Sequence, residues 1–216
     1  MCIASARLQP FISRPAVTVF TTGIVLVFCQ LVLAQQAPPR AQKKQKAASE
    51  LIRKQDPPKV IPRVLGQATS ENISVYISLS KQRAYLKVGE EVGIDTPISS
   101  GKRAGMTPRG RFIVAEKDPD HRSSLYGDFV NKQGQLVRAG VSTKIDSAPS
   151  GTTYRGASMR WFMRLGETRS SQRAEGMHTG YLPGYPASHG CIRLPEDIAR
   201  MIYAKISIGT PVTIGD

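Results

Sequence analysis

The stretch Ser188-His189-Gly190-Cys191-Ile192-Arg193-Leu194, with Pro195-Glu196-Asp197 directly after it, is where this chain commits its chemistry and its architecture. A cysteine attacks as its thiolate, so an imidazole able to take its proton is the partner that Cys191 requires. Two histidines are candidates, His178 thirteen positions upstream and His189 two positions upstream. Gly176, Gly180, Pro183, Gly184, Pro186 and Gly190 surround both side chains, which reads as a looped site and not one face of a helix. Past the site, Pro195 to Ile206 reads as a helix. Pro opens its first turn, Glu196 and Asp197 face the positive end of the dipole, and Ile198, Met201 and Ile202 fall on one stripe.

His189 is tied to the nucleophile's own turn by a single glycine, whereas His178 comes from a separate segment and can approach across the site. His178 is therefore the expected general base. The backbone N–H groups of Gly190 and Cys191 are candidates for holding an oxyanion, because donors at a glycine turn can converge on a developing negative oxygen. Arg193 suits a substrate carboxylate, which it would grip through two parallel bonds. Ser188, His189 and Trp161 complete the expected substrate-binding set, although a sole tryptophan also reads as core packing.

The run from Gly176-Met177-His178-Thr179-Gly180 through Ser188–Leu194 resembles the signature of the L,D-transpeptidase catalytic domain, also called the YkuD-type or ErfK/YbiS-type domain. Ile98-Ser99-Ser100-Gly101-Lys102, followed by Thr107-Pro108-Arg109-Gly110-Arg111-Phe112, is similar to that family's SxG…TPxGxF segment, and Gly209-Thr210-Pro211-Val212 also fits. The resemblance spans roughly residues 72 to 216. It implies a mostly β fold, a mixed-sheet β-sandwich with one short C-terminal helix, and no cofactor or metal. It implies that Cys191 is the nucleophile, that His178 gives and takes the proton, and that the Thr179 carbonyl orients His178. The reaction implied is on peptidoglycan stem peptides: Cys191 attacks the carbonyl of the third-position diamino acid, releases the terminal D-amino acid and hands the acyl group to an amine. That amine belongs to another stem or to an envelope protein; water in its place would make the enzyme an L,D-carboxypeptidase. The His178-to-Cys191 spacing is shorter than in many members, which points to a trimmed lid over the site and bears on acceptor choice.

Two other classes fit some of the same residues. His178, His189 and Cys191 are ligands that zinc accepts, although a His-x-Cys pair is a weak zinc pattern. A non-catalytic wall-binding module could carry the same fold with a silent site. Chelator resistance with sensitivity to thiol alkylation separates the enzyme from the zinc site, and turnover of a muropeptide excludes the silent module.

Net charge is +14, a sign that invites a nucleic-acid partner, yet its distribution argues otherwise. Residues 35 to 70 hold eight Lys/Arg against Glu50 and Asp56, and no nucleic-acid-binding motif accompanies the rest. An anionic envelope surface is the partner this basic segment suits. Its prolines and low hydrophobicity mark a flexible linker. Residues 1–34 carry Arg7 and Arg14, an apolar run from Ala16 to Leu33 and Val32-Leu33-Ala34 before Gln35, the pattern of a cleaved signal peptide or, uncleaved, an N-terminal anchor. The expectation is an exported protein of the periplasm or cell envelope, with residues 71–216 as its catalytic domain. Cys2 and Cys29 lie in that first segment, so a mature chain would keep Cys191 alone.

Ile73, Val75, Ile77 and Leu79 alternate with polar positions, as in a half-buried strand, and a turn at Ser80-Lys81-Gln82 leads into Arg83–Val88, a hairpin. Further strand-like runs cover 91–99, 111–116, 135–142, 159–165 and 211–214, a spacing that suits a sandwich or barrel.

Overall fold

The hairpin forms where the alternation places it. In the computed structural model, which describes residues 55–167 and 172–216, β2 (Ile73–Ser78) and β3 (Arg83–Val88) pair antiparallel with Tyr76 opposite Tyr85. Their apolar positions, Ile73, Val75, Ile77, Ala84 and Leu86, are all buried on one face. The expected signal segment with Cys2 and Cys29, and the linker up to residue 54, lie outside the described residues.

In chain order the elements are β1 (Lys59–Val60), α1 (Pro62–Leu65), the hairpin, β4 (Glu91–Pro97), β5 (Gly110–Asp118), β6 (Arg122–Val130), β7 (Leu136–Ser142), β8 (Thr153–Ser158), β9 (Phe162–Gly166), β10 (Gln172–Thr179), β11 (Ile192–Leu194), α2 (Glu196–Lys205) and β12 (Pro211–Gly215). Nine strands form a mixed sheet in the order β1-β4-β3-β2-β12-β5-β9-β10-β11. The β12–β2 and β10–β11 pairs are parallel. The other three strands, β7-β6-β8, form a separate antiparallel sheet.

One apolar cluster takes side chains from nearly the whole large sheet: Ile94 of β4, Leu86, Val75, Val212, Val114, Met163, Met177 and Leu194 of β11. Strands so far apart in the sheet can share a cluster only if the sheet curls over it. The curl is fastened beyond β4, where Ser99 and Arg193 exchange backbone hydrogen bonds at 3.1 and 3.0 Å and join the β4 end to β11. The faces so brought together are the expected mostly β, mixed-sheet sandwich.

Helix α2 plugs the cluster with Ile198, Ala199 and Ile202. Each of the two isoleucines, fully buried, is worth about 1.5–3 kcal/mol relative to exposure. The last carbonyls of α2 would otherwise face the core edge unpaired. Lys117 of β5 supplies donors, with Nζ 2.6 Å from the Tyr203 oxygen and 2.7 Å from that of Ile206.

The linker expectation needs correcting at its far end. Residues 59–66 are part of the folded body: Lys59 pairs with Asp95, Ile61 donates its N–H to the Gly93 carbonyl, and Val64 and Leu65 are buried. Prolines set the expectation, but Val60, Val64 and Leu65 supply apolar surface that packs on β4, where Gly93 leaves room for the Leu65 side chain.

Candidate active site

The nucleophile's turn is built by hydroxyl groups. Ser188 Oγ donates to the Cys191 carbonyl at 2.6 Å and accepts the Gly190 N–H at 3.0 Å. Thr107 Oγ1 donates to the Gly190 carbonyl at 2.7 Å and accepts the Gly101 N–H at 2.8 Å. A single buried hydroxyl thus connects the two sequence blocks. Gly190 has φ +138, which only glycine adopts without strain, and a Cβ there would stand 3.0 Å from the Met106 carbonyl oxygen.

His178 lies near the end of β10, opposite Arg193 of β11, in the parallel pair that also sets Met177 against Ile192. Continuing that register by one residue places Gly176 opposite Cys191. Side chains alternate along strands, so Met177 enters the core, while His178 and Cys191 share the other face. The segment read from its glycines as a loop is therefore a strand at His178. Gly176 is there for contact: a Cβ on it would meet the Phe162 ring at 2.5 Å. That ring lies 6.2 Å from the His178 ring, and His121 stacks on it at 4.2 Å while hydrogen bonded to Asp118 at 3.1 Å. His121, from the polar turn between β5 and β6, is thus part of the wall behind His178.

The imidazole is only 7% exposed, and its Nδ1 is 2.7 Å from the Thr179 carbonyl oxygen. A carbonyl only accepts, so Nδ1 carries the proton and Nε2 keeps a lone pair. Burial pushes the His178 pKa down to about 4, with the Arg193 and His121 charges adding to the drop and the Thr179 carbonyl opposing it. Burial also pushes the Cys191 thiol up, as does the Glu175 carboxylate, while the Gly176 N–H and the Arg193 and Arg164 charges favour the thiolate. Both shifts favour the neutral forms: a thiol on the same sheet face as an imidazole whose Nδ1 is bonded to the Thr179 carbonyl.

His189 does not pair with His178 but turns toward β6 and Lys102. It is exposed, stacks on Tyr126 of β6 at 4.2 Å and receives Lys102 Nζ at 3.0 Å on Nε2. His178 and His189 do not converge, which removes the geometry a shared zinc would need; among the described residues no three His, Cys, Asp or Glu stand together as a metal cluster.

The expected substrate-binding set divides. Arg193 lies near the thiol: its guanidinium is half-buried, its charge acts on Cys191 and on His178, and it enters none of the ion pairs among the described residues. Ser188 is not open to substrate, because its hydroxyl is spent on the Cys191 carbonyl and the Gly190 N–H. By the same bond the Gly190 N–H, expected to hold the oxyanion, is occupied in this conformation. Trp161 is not on the catalytic face either. It precedes β9 with φ +57 and packs with the core and against Tyr203 of α2 at 5.4 Å, while its neighbour Phe162 faces the base. Thr107 and Phe162 were missed as parts of the site; Thr107 was legible in the Thr-Pro-x-Gly block, whereas nothing in the sequence distinguishes Phe162.

The sequence model of the family described as YkuD, L,D-transpeptidase catalytic domain, matches residues 72–214. Among solved structures the chain is similar to an L,D-transpeptidase from Mycobacterium smegmatis (22% identity over 66% of this chain and 58% of that one, TM-score 0.47). It is also similar to one from Stackebrandtia nassauensis (16%, 68% and 57%, TM-score 0.46) and one from Xylanimonas cellulosilytica (22%, 68% and 61%, TM-score 0.46). The chain spans less than two thirds of the length of each of these. No curated protein sequence matches it. The family match covers most of the chain, and the residues it spans hold Cys191, His178, Thr179 and the Thr107 brace, so this chain belongs to the family of YkuD-type L,D-transpeptidase catalytic domains.

Proposed function

We propose that this protein is an exported, cysteine-dependent L,D-transpeptidase acting on peptidoglycan stem peptides. The observation that carries the reading is the Nδ1 bond of His178 to the Thr179 carbonyl, which leaves Nε2 as a proton acceptor on the face shared with Cys191. Cys191 gives its proton to Nε2 as its sulfur bonds to the carbonyl carbon of the third-position diamino acid. Collapse of the tetrahedral intermediate breaks the C–N bond. His178 returns the proton to the leaving amine, which departs as the terminal D-amino acid and leaves a thioester on Cys191. A neutral amine from a second stem or an envelope protein then attacks the thioester, its proton passes through His178 to the sulfur, and the new amide leaves. Starting from a neutral pair suits this cycle, since no buried ion pair has to be neutralised before the amine arrives.

Arg193 is the residue to hold a donor carboxylate beside the nucleophile, as its unpaired, half-buried charge supports. Export rests on the apolar run from Ala16 to Leu33 with Arg7 and Arg14 before it, and a periplasmic or envelope location goes with the substrate. The test is intact-mass analysis of the full chain incubated with disaccharide tetrapeptide. A thioester adduct with loss of one D-alanine is expected on the native protein and absent from Cys191→Ala; an adduct persisting on that variant refutes the assignment. Product masses then distinguish a cross-linked dimer from a trimmed tripeptide, the sign of water as acceptor.

A further inference from the structure

Lys102 makes a contact that the reaction above does not use. Its Nζ lies 3.0 Å from His189 Nε2, and an ammonium has only donors, so the imidazole accepts on Nε2 and is neutral. The two groups are held by different parts of the fold. Lys102 follows Gly101 in the Ser-x-Gly block, and its backbone N–H bonds the Ser188 carbonyl at 3.0 Å, which pins it to the nucleophile's turn. His189 belongs to that turn, and the Tyr126 ring lies nearly parallel to it, at 15°. One face of the imidazole is thereby covered, and its Nε2 edge is presented beside the lysine. Both side chains are exposed, and no ion pair among the described residues includes Lys102, Arg103 or Arg193. Positive charge therefore stands near Cys191 from Arg193 of β11 and near its turn from Lys102; the Glu175 carboxylate also lies against Gly190, but among the described residues it pairs with Arg173 and with neither of these cations.

We infer that Lys102, with His189 held beneath Tyr126, forms a carboxylate-binding subsite next to the nucleophile, which takes a carboxylate of the stem peptide other than the one Arg193 holds. The inference rests on the proposed substrate class. An arriving carboxylate draws Lys102 Nζ away from His189 and frees Nε2, which can then gain a proton and donate as well. Two charge-assisted bonds replace one bond between a cation and a neutral ring. Such a stem carries carboxylates at its terminal D-residue and on the side chain of its diamino acid, and the subsite reads one of them.

The experiment titrates disaccharide tetrapeptide into full-length Cys191→Ala by calorimetry, alone and combined with Lys102→Gln or Lys102→Arg. Two further peptides are used, one amidated at the terminal carboxyl and one at the diamino-acid side-chain carboxyl. Thermal melting confirms that each exposed-site variant remains folded. Lys102→Gln is expected to weaken binding of the parent peptide about tenfold, the scale of a charge-assisted bond, and Lys102→Arg to restore most of it. The loss on Lys102→Gln should vanish for one of the two amidated peptides, which identifies the carboxylate. Equal affinity with and without Lys102 for all three peptides overturns the subsite. Lys102-dependent binding without acylation of native Cys191 overturns the proposed reaction and leaves the subsite standing; no binding of any peptide overturns both.

Discussion

His178 faces Arg193 across a parallel strand pair, so the base and a cation that opposes its protonation are set side by side by the sheet itself. The base is thereby kept neutral by position and by burial, and that state has measurable consequences.

Replacing His178 with Ala should lower single-turnover acylation of Cys191 by at least about a hundredfold, the scale of general acid-base help, in a protein that still melts cooperatively. His189→Ala should lose far less, since His189 faces Tyr126 and Lys102. Near-native acylation by His178→Ala, with folded His189→Ala inactive, would reverse the two roles.

Stability should fall on acidification through a defined window. His178 has a folded pKa of about 4 against an ordinary 6.5, so between these values the unfolded chain binds a proton that the folded chain does not. Its contribution is full above about pH 6.5 and is lost as pH drops toward 4, by about 3 kcal/mol in all. Denaturant unfolding at stepped pH should show a steeper decline for the native protein than for His178→Gln. Parallel curves for the two proteins would refute a buried, neutral imidazole.

Cys191 should be a slow thiol in the absence of substrate. Its pKa is raised, chiefly by burial, so alkylation by iodoacetamide should climb with pH and reach its midpoint at a higher pH than for the same thiol in the unfolded chain. A midpoint below 7 would indicate a resting thiolate–imidazolium pair.

Thr107→Val should cost about 3 kcal/mol, because it leaves the Gly101 N–H and the Gly190 carbonyl without their shared partner in a buried place. Thr107→Ser keeps the hydroxyl and should keep most of both stability and activity. Equal melting temperatures for Val and native forms would show that the brace is not needed.

Leu65→Ala should destabilise by about 2–4 kcal/mol, as for a buried leucine in a core, although it lies in a stretch whose prolines suggest a linker. Limited proteolysis should likewise spare residues from about 59 onward; cleavage between 60 and 70 in the native protein would contradict the packing of β1 and α1.

The candidate pair could be singled out in sequence because few residue types can do this chemistry; in the fold His178 bonds the Thr179 carbonyl, and the β10–β11 register puts His178 and Cys191 on one face. The hairpin and α2 were legible from periodicity, because each buries one face against a single core. Strand β10 was not: Gly176 reads as a turn residue, yet it serves a close approach to Phe162 within a strand. Strand β8 carries mostly exposed residues, and β6 buries apolar side chains only at its end, Phe129 and Val130, so neither shows an apolar alternation to detect. For Trp161 the sequence left core packing and a substrate role both open, and the fold packs it with the core. The N-terminal boundary was set too late because Pro57 and Pro58 outweighed Val64 and Leu65, whose burial depends on a strand that follows them in sequence.

The bonds between Ser99 and Arg193 that fasten the two ends of the large sheet also bear on when the surroundings of Cys191 are completed during folding. The joined residues are far apart in the chain, and contacts of such long range carry a large loop-closure cost that favours their late formation. Arg193 is two residues from Cys191, so the nucleophile's surroundings are completed by the same closure. A partly folded chain, even one with the hairpin and α2 in place, would carry an ordinary accessible thiol, and the slow alkylation of Cys191 would appear only as the sheet shuts. The reactivity of one sulfur is thus a clock for the last step of folding.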